Sequence, residues 1–135
     1  MASKFWYGAA AVMVAVGGFT AGPASAQDGF PFGLEMTLDT KPMPGSRQMP
    51  TLEIGDNGEA KLDLWCKTGK GQFSVAGNTV IFAPGQFEDH ACPPDRAEAD
   101  DNLIAALAAI ETWKRQGDTV MFAGPATLHF HLNTN

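Results

Sequence analysis

At 135 residues the chain is long enough for one domain and short for two. Its 9 basic and 15 acidic side chains give a formal net charge of −6. With no basic cluster to offset it, that surface is repelled by nucleic-acid phosphates and by anionic lipid headgroups. Nucleic acid and membrane surfaces are therefore set aside as partners.

The first 26 residues read as an export leader. Lys4 is the sole charge before Asp28, an apolar run follows from Phe5 to Phe19, and Ala24-Ser25-Ala26 supplies the small residues a signal peptidase needs. The run spans about 15 residues, where a membrane-crossing helix needs roughly 20. Cleavage is expected between Ala26 and Gln27, releasing a chain with no stable membrane insertion into the periplasm or the medium. Losing Lys4 leaves 8 basic against 15 acidic groups, a charge near −7. In an exported domain Cys66 and Cys92, the only 2 cysteines, most simply form one bridge. Two free thiols and a shared metal are the competing arrangements.

Residues 27–31 read as a short tail. From Phe32 to Asp39 the residues Leu34, Met36 and Leu38 alternate with Glu35, Thr37 and Asp39, the period of a half-buried strand. Pro42, Pro44, Gly45 and Pro50 mark the next stretch as an irregular connection. Thr51 to Leu64 carries two alternating runs around Gly55-Asp56-Asn57-Gly58, the pattern of a hairpin. A second hairpin is expected around Gly77-Asn78, with Phe73 and Val75 on one strand and Val80 and Phe82 on the other. Gly85 to Pro94 reads as a loop carrying Cys92.

A helix should follow, with Asp95 as N-cap and Glu98 at capping-box spacing. Ala99, Leu103, Ala106, Leu107, Ile110 and Trp113 fall on one face at helical period. Glu98, Asp100 and Asp101 early, and Lys114 and Arg115 late, suit the helix dipole, and Gly117 suits its end. Two strands close the chain, joined through Gly124-Pro125. The expected architecture is α+β: a curved antiparallel sheet or open barrel of about seven strands, packed on one long helix inserted before the last two strands.

Several features carry the resemblance to a known family. Pro50 precedes a strand, Gly58 lies in the following turn, and the next strand leads into Cys66. A hairpin beginning at Gly71 comes next, then Cys92-Pro93, an acidic helix with Leu103 and Leu107, and two closing strands. This text resembles the META domain family, typified by the exported heat-shock protein HslJ, over residues 32–133. The resemblance implies a compact α+β domain of the bacterial cell envelope, associated with stress, motility or virulence, without established catalysis or cofactor.

The residues themselves offer little chemistry. Ser46 and Ser74 lie in no Gly-x-Ser-x-Gly elbow, and Lys67-Thr68-Gly69 lacks the partner motifs of a β-lactamase. His129 and His131 share one face of the last strand and, with His90, are weak metal candidates, since spacing fixes no third ligand. The candidate binding loop comprises Lys67, Lys70, Glu88, Asp89 and His90, which cluster around the cysteines in sequence. The expectation is a monomeric, non-catalytic, exported domain that binds an envelope protein or small ligand. The alternatives are a small inhibitor of a basic enzyme such as lysozyme, steered by charge, and a metal-binding protein.

Overall fold

A computed structural model describes residues 29–133; the expected leader and its cleavage point lie outside them. Eight strands and one helix follow in the order β1 (Glu35–Leu38), β2 (Thr51–Ile54), β3 (Glu59–Asp63), β4 (Thr68–Ala76), β5 (Thr79–Glu88), α1 (Pro94–Ala108), β6 (Thr112–Gln116), β7 (Thr119–Ala123) and β8 (Thr127–Leu132). Each strand pairs antiparallel with its sequence neighbour. β8 then returns to β1, setting Leu132 opposite Met36 and Phe130 opposite Leu38. The sheet is thus a closed barrel of eight strands, where about seven strands in a curved sheet or open barrel were expected.

Period-two alternation decides which side chains enter. Met36, Leu38, Leu52, Ile54, Val120 and Phe122 are buried, while Glu53, Thr119 and other residues between them face outward. Leu34, expected beside Met36, is instead 42% exposed. The strand begins only at Glu35, after Gly33 turns the chain with a φ of 76°.

Aromatic rings fill the interior, which in an eight-stranded barrel is just wide enough for side chains to occupy. Phe73 lies 4.7 Å from Phe82 and 5.8 Å from Phe122 between ring centroids, and Phe122 lies 5.7 Å from Phe130. Gly71 makes room for this packing, since a Cβ there would stand 2.3 Å from the Phe82 ring. The described part of the tail is packed too. Pro31 is buried, and Phe30 meets Trp113 edge-on at 5.2 Å and Phe73 at 6.2 Å.

The helix departs from expectation at both ends. Pro94 occupies its first turn, Pro93 precedes it with no side-chain cap, and Asp95 lies inside that turn rather than capping it. Proline suits this position because the first helical N–H needs no intrahelical partner. At the other end α1 stops at Ala108, and Thr112–Gln116 forms β6. Trp113, Lys114 and Arg115 therefore belong to a strand, paired with Phe122, Met121 and Val120. Gly117, with a φ of 58°, lies between β6 and β7 rather than ending the helix. The helical period of Trp113 was coincidental: pairing with β7 and burial against Phe30 outweigh it. The helix thus precedes the last three strands rather than the last two.

β5 also runs further than expected, through Pro84 to Glu88, with a register shift relative to β4 between Gly69 and Gly71. Pro84 is tolerated because β5 meets β6 only at Thr79 opposite Thr112, leaving the rest of that edge without a strand partner. α1 lies against β5.

Candidate functional site

The expected bridge between Cys66 and Cys92 is formed, with Cα atoms 5.6 Å apart. It ties the connection between β3 and β4 to the loop that launches α1. A second tie stands beside it. Asp100 is fully buried, and its carboxylate accepts N–H bonds from Trp65 at 2.9 Å, Cys66 at 2.9 Å and Lys67 at 2.7 Å. Three backbone donors converging on one carboxylate satisfy a charge that burial would otherwise penalise heavily.

Lys67 completes the junction. Its Nζ lies 2.6 Å from Asp101 on α1 and 3.2 Å from Asp89 after β5. Hydrogen bonding to Asp101, then to Asp89, holds the Lys67 ammonium above its ordinary pKa of 10.5, with partial burial opposing. His90 Nε2 shares a 2.8 Å hydrogen bond with Thr68 Oγ1. Of the candidate binding loop, Lys67, Asp89 and His90 therefore gather at this junction, while Lys70 and Glu88 lie elsewhere.

Those two line a trough of about 990 Å³ on the outer wall, together with Glu35, Thr51, Glu53, Lys61, Asp63 and Thr68. The register builds it in rows. Glu35 stands opposite Glu53, Glu53 opposite Lys61, and Lys61 opposite Lys70. The neighbouring row runs Thr51, Asp63, Thr68, Glu88. Asn133 Nδ2 donates to Glu35 Oε1 at 2.7 Å. Lys70 Nζ reaches Glu59 at 3.9 Å, with both side chains largely exposed.

The decisive comparison covers this whole framework: the family model described as META domain matches residues 33–133. The chain belongs to the META domain family. Comparisons with curated proteins and with solved structures return no match. In this META domain the matched stretch takes in every strand, the helix, the bridge and the trough.

The histidines of the META domain are placed apart. His129 and His131 lie on β8, where His131 Nδ1 contacts Asp39 Oδ1. His90 sits by β4, four strands away around the barrel wall. Among the described residues no three His, Cys, Asp or Glu side chains group as metal ligands.

Two elements of the site escaped the sequence reading. Asp100 was assigned to the helix dipole, although it begins the buried 100-103-107 stripe, a spacing that places it inward. The trough draws its residues from five strands, and only the pairing register assembles them. Its one visible sign was the run of charges on alternate positions, such as Lys61 and Asp63.

Proposed function

We propose that this META domain is a non-catalytic binding module of the bacterial cell envelope, exported, stress-associated, and engaging its partner through the outer trough on β1–β5. The observation that carries this reading is the shape of the molecule. The barrel is filled by its own side chains, while an outward concavity of about 990 Å³ is lined by Phe87 and Leu62 together with charged and hydroxyl groups. Such a face suits recognition at a surface. The oxidised Cys66–Cys92 bridge supports an exporting route, because disulfides persist in oxidising compartments.

The test is capture from a bacterial envelope extract by the immobilised protein. A partner should bind the wild type and be lost on charge reversal in the trough, Glu53→Lys with Lys61→Glu. It should be retained by His129→Gln on β8, outside the trough. Equal capture by all three proteins would overturn the reading.

A further inference from the structure

The trough carries an arrangement that folding alone disfavours. Across four adjacent strands one outward row reads Glu35, Glu53, Lys61, Lys70, so its charges run minus, minus, plus, plus. Glu35 directly faces Glu53, and Lys61 directly faces Lys70; like charges opposite one another across a ladder are destabilising. An alternating order would remove both repulsions with the same four side chains. Among the described residues neither Glu53 nor Lys61 takes part in an ion pair, and Lys70 has only its long, exposed contact with Glu59. The row therefore offers two carboxylates at one end and two ammonium groups at the other, with Asp63 and Glu88 of the neighbouring row in the same concavity.

We infer that this row binds a short zwitterionic peptide, its free ammonium held between Glu35 and Glu53 and its free carboxylate between Lys61 and Lys70. The proposal rests on the reading of the trough as the binding face and names what occupies it. Spacing selects the size. The midpoints of the two pairs are two strand spacings apart, roughly 10 Å. An extended tripeptide spans about the same length. A single amino acid is too short to reach both pairs. The peptide lies across the strands, so its recognition uses the two end charges rather than addition to a sheet edge. Occupation places an opposite charge between each repelling pair, which a ligand carrying only one charge cannot do at both.

Calorimetry and amide-shift titration of the purified protein with free-ended tri-alanine test this directly. The expected result is saturable binding with shifts centred on Glu53, Lys61 and Lys70. N-acetyl tri-alanine and tri-alanine amide should each bind about tenfold more weakly or worse. Glu53→Gln should remove the penalty for acetylation, and Lys61→Met the penalty for amidation, with melting temperatures close to that of the wild type. No saturable shift up to about 10 mM peptide, or blocked peptides bound as well as the free one, would overturn the proposal. If envelope capture still depends on Glu53 and Lys61 in that event, only the occupant is wrong. If capture is indifferent to them as well, the binding face itself falls.

Discussion

Asp100 shows how much one side chain can organise. It reaches from α1 into the turn between β3 and β4 and takes the N–H groups of Trp65, Cys66 and Lys67. Asp100→Ala leaves those part-buried donors unpaired, which should cost about 3–5 kcal/mol in chemical denaturation. Asp100→Asn keeps one acceptor oxygen and should lose less. Lys67 makes the complementary prediction. Its ammonium is held above the ordinary pKa of 10.5 in the folded chain. The stabilisation it confers is therefore complete below about pH 10.5 and fades as pH rises through the higher folded value. Stability measured by urea unfolding should fall more steeply above that point in the wild type than in Lys67→Met.

At the scale of elements, the junction of β3, β4 and α1 is held by a covalent tie and an ionic one side by side. The bridge closes a loop across a sequence separation of 26 residues. Removing it by the paired change Cys66→Ser, Cys92→Ser should cost roughly 3–4 kcal/mol through the entropy of the unfolded chain. The wild type treated with dithiothreitol should melt at the same temperature as the double variant. These elements also show what was legible beforehand. The hairpins at Gly55–Gly58 and Gly77-Asn78 were readable because alternation and turn chemistry are both local. β6 was not, because Trp113 sits at a helical interval from Ala106 and Ile110, and only its pairing with Phe122 across to β7 marks it as a strand. The trough was invisible for the same reason on a larger scale. Glu35, Glu53, Lys61 and Lys70 become neighbours through register, which no single stretch of sequence records.

The whole molecule joins a filled barrel, a helix fastened to it, and a charged trough on the outer wall. Closure between β1 and β8 ties the two ends of the described chain together and fixes the first glutamate of the trough, through Asn133. The bridge fastens the same β3–β4 corner from which Lys61, Asp63, Thr68 and Lys70 project. The most direct measurement is the intact mass, without reduction, of the protein recovered from the periplasmic and cytoplasmic fractions of a bacterial host expressing residues 1–135. The expected chain begins at Gln27, lies in the periplasmic fraction and has no thiol available to alkylation. A chain retaining residues 1–26, confined to the cytoplasm with both thiols free, would contradict it.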